Sequence, residues 1–347
     1  MTLKKKRIIV FAVVVAILLV LFIWSAWGNT ALELNTYMIS SGRLPEAFDG
    51  YRVAHISDLH NTEMGKDNKK LLDMLWEAKP DIIAITGDLI DSRNTDIEVA
   101  LEFTGAAMEI APCYYVTGNH EARVSEYDEL KEGLKEQGVV VLDDERIELE
   151  QSGEIIALLG VNDPSFQTDF LFGDSETVME SNLQEISDAE NEFTILLSHR
   201  PELFEVYTES KMDVVLSGHA HGGQFRLPFV GGMVAPNQGL FPKYDAGLYT
   251  EESTNMIVSK GIGNSILPLR FNNRPEVILI EFKFNDRGCL FQTAPLLITQ
   301  TTDFPVSVFS VFSAAGCIRM FPKWRGQYLG FQYNLLDLRG WQSKKHY

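Results

Sequence analysis

The sequence predicts an α/β fold, and three observations predict it. Short runs of apolar and β-branched residues bounded by Gly, Asp or Pro, at 52–57, 82–86, 114–117, 193–197 and 214–217, read as buried strands. Helix-like segments lie between several of them, at 68–79, where Leu71, Leu72, Leu75 and Trp76 share one face, and at 96–110. Such strand–helix alternation implies sheets covered on both faces. A final strand, Glu276–Phe284, completes the body, and the extended Leu32 to Tyr37 within the segment 28–50 is a candidate edge strand.

Each of the five strands ends in a short motif rich in potential metal ligands: Asp58-Leu59-His60, Gly87-Asp88, Gly118-Asn119-His120, Ser198-His199 and Gly218-His219-Ala220-His221. In buried sheets, ligands bind outside the carboxyl ends of the strands, where loops converge. Five of the seven histidines fall inside these motifs, which scattered core histidines would not do. Two carboxylates, one carboxamide and five imidazoles suffice to hold two divalent cations side by side. The donor types suit Mn, Fe, Zn or Co, with Mn favoured, and no cysteine lies in any motif, which excludes a thiolate site.

These five motifs, in this order over residues 51–284, resemble the calcineurin-like metallophosphoesterase superfamily. The resemblance implies two packed mixed β-sheets flanked by helices, with one metal on Asp58, His60 and His221, a second on Asn119, His199 and His219, and Asp88 bridging them. It assigns His120 to the substrate phosphate or leaving group as a catalytic, non-ligand residue; the alternative is that His120 only orients Asn119. Two cations roughly 3.5–4 Å apart activate water as hydroxide and clamp an in-line displacement. The Gly-His-Ala-His-Gly-Gly-Gln segment resembles the membrane-associated bacterial branch, which includes lipid-acting UDP-diacylglucosamine hydrolases.

The amino terminus carries Lys4-Lys5-Lys6-Arg7 and then an uncharged apolar run, 8–27, twenty residues long. That length fits a transmembrane helix. The rival is a cleavable signal peptide, but its apolar region is about 7–15 residues and ends at an Ala-x-Ala-like site, which is not evident here. The basic residues place the amino terminus in the cytoplasm and the body outside, so the expected location is the cell membrane with an extracytoplasmic catalytic domain. Trp24 and Trp27 fit an interfacial aromatic belt. The expected organisation is a stub and anchor (1–27), a linker (28–50), a catalytic domain (51–286) and an atypical C-terminal appendage (287–347).

Residues 28–286 hold 19 Lys/Arg against 46 Asp/Glu. So acidic a body lacks the phosphate-neutralising surface that nucleic-acid binding requires, which argues against a nuclease. Cys113, Cys289 and Cys317 show no paired spacing, and Cys113 reads as a small core residue at a strand start. The Gly- and Pro-containing stretch 222–249 starts at a candidate ligand yet carries many large apolar side chains. Either it forms an apolar rim for an amphiphilic, lipid-linked phosphate ester, or it packs on its own core; Arg226 within it reads as a phosphate contact or a surface salt bridge. The sequence thus points to a membrane-anchored phosphoesterase acting on a phosphodiester, pyrophosphate or monoester. The alternatives are an intracellular nucleotide phosphodiesterase and an inactive scaffold of the same fold.

Overall fold

The computed structural model describes residues 2–167, 174–187, 192–264 and 269–285, together with short strand pairs between 310 and 328. In chain order, helix α1 (Leu3–Thr30) leads to β1 (Glu33–Ser41), β2 (Arg52–Ile56), α2 (Lys69–Ala78), β3 (Ile82–Thr86) and α3 (Ile97–Met108). There follow β4 (Cys113–Val116), α4 (Tyr127–Glu136), β5 (Val140–Val141), β6 (Glu145–Gln151), β7 (Glu154–Gly160) and α5 (Ser175–Ile186). The chain continues through β8 (Thr194–Leu197), α6 (Phe204–Glu209) and β9 (Val214–Ser217). Four two-residue strands come next: β10 (Arg226–Leu227), β11 (Gly231–Gly232), β12 (Val234–Ala235) and β13 (Gly239–Leu240). The last long strands are β14 (Gly247–Glu251), β15 (Thr254–Val258) and β16 (Glu276–Phe284).

Two six-stranded mixed sheets form, ordered β1-β16-β2-β3-β4-β5 and β14-β15-β9-β8-β7-β6. Each contains four neighbouring parallel strands, β2 to β5 in one and β15, β9, β8 and β7 in the other. The strand alternation explains the layering. In β3, Ile83 and Ile85 face α2, α3 and α4, packing with Leu71, Leu75, Phe103 and Leu130, while Ile82 and Ala84 face the second sheet. In β9, Val214 and Leu216 turn to the first sheet, and Val215 packs outward with Leu183, Phe204 and Tyr207 of α5 and α6. Both faces of each sheet are therefore apolar, as the sequence predicted from strands without a polar face.

Most boundaries agree with the sequence reading to within a residue. Helix α2 differs in one respect: Leu71, Leu75 and Ala78 are buried, but Trp76 is 66% exposed. One residue advances about 100° around a helix, which carries Trp76 off the stripe that Leu75 occupies. His55 is a core histidine, fully buried with its Nε2 2.7 Å from Thr86 Oγ1, and Cys113 is buried at the start of β4. Strand β1 lies at the sheet edge, paired in parallel with β16 along its whole length, from Glu33 opposite Glu276 to Ser41 opposite Phe284.

Helix α1 spans 28 residues and is long and apolar enough to cross a membrane, with a mean hydropathy of 3.2 in its most apolar window and none of that window buried. Residues 301–347 form a separate compact unit; among its described residues are Ser310–Val311 paired with Arg319–Met320, and Lys323–Trp324 paired with Gln327–Tyr328. The reading of 287–347 as an appendage otherwise lies outside the described residues, as do Cys289, Cys317 and His346.

Replacing Ile278, buried between the sheets, by Ala is expected to lower the unfolding free energy by about 2–5 kcal/mol. Trp76→Ser should change it by less than about 0.5 kcal/mol. Chemical denaturation of the full chain measures both, and a larger effect at Trp76 would contradict the layer assignment.

Candidate metal centre

All five motifs leave their strands at the carboxyl ends, three from the first sheet (after β2, β3 and β4) and two from the second (after β8 and β9). Backbone hydrogen bonds keep the loops in register beyond the strands: Asp58 N–H donates to Gly87 O at 3.1 Å and His60 N–H to Asp88 O at 3.0 Å. The sheets are joined here by His199, whose Nδ1–H donates to Thr86 O at 2.8 Å. Glycine is required where these loops pass closest, since a Cβ on Gly118 would collide with the Asp88 carboxylate and one on Gly218 with Ser57 and Asp58. Asp58, His60, Asp88, His219 and His221 all sit in the left-handed region, at φ between +46° and +64°. Non-glycine residues adopt that region rarely, and such strained positions cluster at functional sites.

The side chains converge in two buried groups that could hold a metal, Asp58–His60–Asp88–His221 and Asp88–His199–His219, with the offered atoms of each group within 4.8 Å of one another. Asp88 belongs to both. In the first group, His60 Nε2 lies 3.1 Å from His221 Nε2, and His221 Nε2 3.2 Å from Asp58 Oδ1. In the second, His199 Nε2 is 3.3 Å from Asp88 Oδ2 and 3.1 Å from His219 Nδ1. The Asn119 carboxamide lies 2.7 Å from His219 Nδ1. With its NH2 towards that nitrogen the amide donates to a bare Nδ1; with Oδ1 towards it the amide accepts from Nδ1–H, and when that nitrogen is bare the two lone pairs can share a cation.

The donor set fits a pair of cations. Because a carbonyl can only accept, the bond from His199 Nδ1 to Thr86 O leaves Nε2 of the neutral ring as a bare lone pair aimed at the Asp88 carboxylate. Without a metal, a proton takes that place: burial alone would lower His199, but Asp88 outweighs it and pushes the ring up to about 10. Burial likewise raises Asp58 and Asp88, yet the surrounding histidines, chiefly His221 at Asp58 and His199 at Asp88, hold both below the usual carboxylate range.

His120 differs from the other motif histidines. Its Nδ1 accepts from Ser92 N–H at 2.9 Å, so the ring proton of the neutral form resides on Nε2, 4.0 Å from Asp88 Oδ2. Its ring packs edge-on to His60, with centroids 4.5 Å apart. Burial lowers its pKa to about 4, so the ring is neutral at physiological pH.

Several supporting residues had no motif of their own. Glu121, fully buried, accepts from the backbone N–H of Asp88 at 3.0 Å and of Gly118 at 2.8 Å, clamping two of the motif loops together. Arg200 makes a buried two-pronged pair with Asp163 at 2.5 and 2.8 Å, and its Nη1 reaches His219 Nε2 at 3.2 Å. Asn273 Nδ2 donates to His221 O at 2.7 Å. The one available signal was position: Glu121 and Arg200 directly follow His120 and His199. Arg226 forms a salt bridge with Asp245 at 3.0 Å and donates to Gly222 O.

Residues 51–223 match the family described as "Calcineurin-like phosphoesterase". The chain is 31% identical over 261 residues to the "Uncharacterized metallophosphoesterase YkuE" of Bacillus subtilis (strain 168), covering 73% of this chain and 86% of that protein. It is 30% identical to the "Phosphodiesterase YaeI" of Escherichia coli (strain K12), covering 59% of this chain and 71% of that one. It is 28% identical to a "Transmembrane protein with metallophosphoesterase domain" of Danio rerio, covering 70% of this chain and 55% of that one. With the donor-bearing strand ends converging as they do, this chain belongs to the calcineurin-like metallophosphoesterases and is a phosphoric ester hydrolase.

Proposed function

We propose that this chain is a membrane-anchored phosphoesterase that hydrolyses a phosphodiester, pyrophosphate or monoester bond of an amphiphilic, cell-envelope substrate. The observation that carries the catalytic part is that Asp88 is common to two buried donor clusters. In this reading, Asp58, His60 and His221 hold one divalent ion, Asn119, His199 and His219 hold the other, and Asp88 is shared. The absence of thiolates favours Mn, Fe, Zn or Co, with Mn the expected ion. When bound, the pair would supply Lewis-acid polarisation of the phosphoryl group and a water made nucleophilic near neutral pH.

The protein's own residues then do the rest. His120, neutral and fixed as the Nε2–H tautomer by Ser92, donates a hydrogen bond from Nε2–H to the oxygen on which charge builds as the ester bond breaks. Glu121 keeps the Asp88 and Asn119 loops from parting, and the Arg200–Asp163 pair fixes the wall behind His219.

The anchor rests on α1 and its flanking Lys4 to Arg7, which orient the body to the outside, and a relative named as a transmembrane protein supports it. In this organisation residues 51–286 carry the catalysis and 28–50 link them to the anchor. The amphiphilic substrate is supported by the exposed apolar side chains of 227–241, which begin six residues after His221.

Full-length protein is expected to bind close to two metal ions per chain, and chelation should abolish hydrolysis of bis-p-nitrophenyl phosphate until metal is restored. Asp88→Asn should reduce occupancy of both sites together in elemental analysis; two retained ions with normal turnover would overturn the shared-carboxylate role. His120→Asn should keep the metals and lower kcat by about 10²–10⁴, with the loss growing as the leaving group becomes less acidic. A defect independent of leaving-group pKa would reduce His120 to orienting Asn119. Protease added to intact cells should degrade the catalytic body, and full protection would reverse the orientation.

A further inference from the structure

The hairpin β10–β11 begins five residues after His221 and ends in an apolar tip, part of the 227–241 stretch, that takes no part in holding the metals or in the chemical step. Phe229 is completely exposed, and Leu227, Val230, Leu240, Phe241 and Leu269 around it are 39–73% exposed. Phe229 and Phe241 are held at φ +67° and +56°. Bulky side chains avoid that region. A soluble surface gains nothing by holding aromatic residues outward in a strained turn, and contiguous exposed apolar patches mark interaction sites.

The structure also indicates what covers this tip. The base of the hairpin is tied to the carboxyl end of α1 through the segment 269–274. Ser25 Oγ donates to Arg270 O, Arg270 N–H donates to Asn29 Oδ1, Gln224 Nε2 donates to Leu269 O at 2.5 Å, and Arg226 N–H donates to Phe271 O at 3.0 Å. A cavity of about 230 Å³ is lined by Trp24, Trp27, Glu33, Arg226, Lys260 and Arg274 among others, with Lys260 and Arg274 both paired to Glu33, and the Arg274 guanidinium lies 5.1 Å from the centre of the Trp27 ring. Tryptophan beside Arg and Lys is the composition of a protein surface at the headgroup level of a bilayer. The hairpin therefore leaves the body at the depth where α1 would leave the hydrocarbon.

We infer that the Phe229 hairpin is a second membrane contact, dipping into the lipid surface from which α1 emerges and turning the metal-bearing face towards that surface. The inference rests on the membrane-anchored reading of α1. Two contacts at separate points fix the tilt of the body, which a single flexible tether would leave free. An amphiphilic substrate in the same leaflet then presents its phosphate to the His221 loop without leaving the bilayer.

Spin labels report depth through the balance of collisions with oxygen, enriched in lipid, and with a water-soluble nickel chelate. Full-length protein in lipid nanodiscs, with Cys289 and Cys317 replaced by serine, is labelled in turn at Phe229→Cys, Leu18→Cys and Ile155→Cys. Phe229 has no packing to lose, so the substitution leaves the fold intact. The expected result is high oxygen and low nickel accessibility at both 229 and 18, with the reverse at 155, an exposed residue near the start of β7 in the sheet that does not contain β1. An immersed label at 18 with a nickel-accessible label at 229 overturns this inference and spares the anchor. A label at 229 shielded from both reagents means that a protein surface covers the tip, which also overturns it. An aqueous label at 18 overturns the anchor and the hairpin contact together.

Discussion

A carboxylate stripped of water governs this molecule. Asp88 is 1% exposed at the point where the strand ends of both sheets meet, and its negative charge has to be answered there. Burying an unpaired charge costs several kcal/mol even after relaxation. The surroundings answer with directed hydrogen bonds and imidazoles: His120 N–H donates to Oδ1 at 2.8 Å, and His60 and His199 approach Oδ2 at 3.6 and 3.3 Å. The carbonyl and N–H of the same residue hold His60 and Glu121. Three of the other four motif loops are thereby positioned against one residue.

The layering explains why such a site can exist only where it does. Apolar residues on both faces of each sheet leave no place for a polar cluster within the layers. The strand ends are where loops from neighbouring parallel strands emerge side by side, and packing one sheet on the other brings two such rows together. Neither sheet alone supplies enough donors. Aspartate and asparagine come from the first sheet along with His60, while His199, His219 and His221 come from the second. The hydrogen bond from His199 to Thr86 then fixes the sheets at one relative height as well as setting a tautomer.

The donor-bearing residues were legible because their signal is local: a side-chain type just past the end of an apolar run. The same locality made β3, β9 and β16 readable to the residue. Pairing was not local. Strand β1 joins β16 from more than two hundred residues away, and a nine-residue stretch of intermediate burial carries no mark of its partner. Glu121 and Arg200 are single charged residues in a chain rich in them, and only their burial shows that they brace the site. Ser92 reaches His120 Nδ1 through its backbone N–H, which any residue but proline would supply, as well as through its hydroxyl. Trp76 misled for a simpler reason, since adjacency to Leu75 on the chain is not adjacency on the helix face. In the stretch 222–249 the apolar side chains divide by residue: Tyr244 packs against Phe204, whereas Phe229 is exposed.

The five donor residues in left-handed conformation have a consequence for the life of the protein. Each strained position costs about 1–3 kcal/mol, and two buried carboxylates close together add repulsion. A fold carrying that load gives up stability in exchange for its chemistry. Cations that bind the folded chain and not the unfolded one return it, by RT ln(1 + [L]/Kd). Metal supply thus governs how much of the protein survives quality control as well as how fast each copy turns over. Starvation for the metal would thin the population before it silenced the molecules that remain.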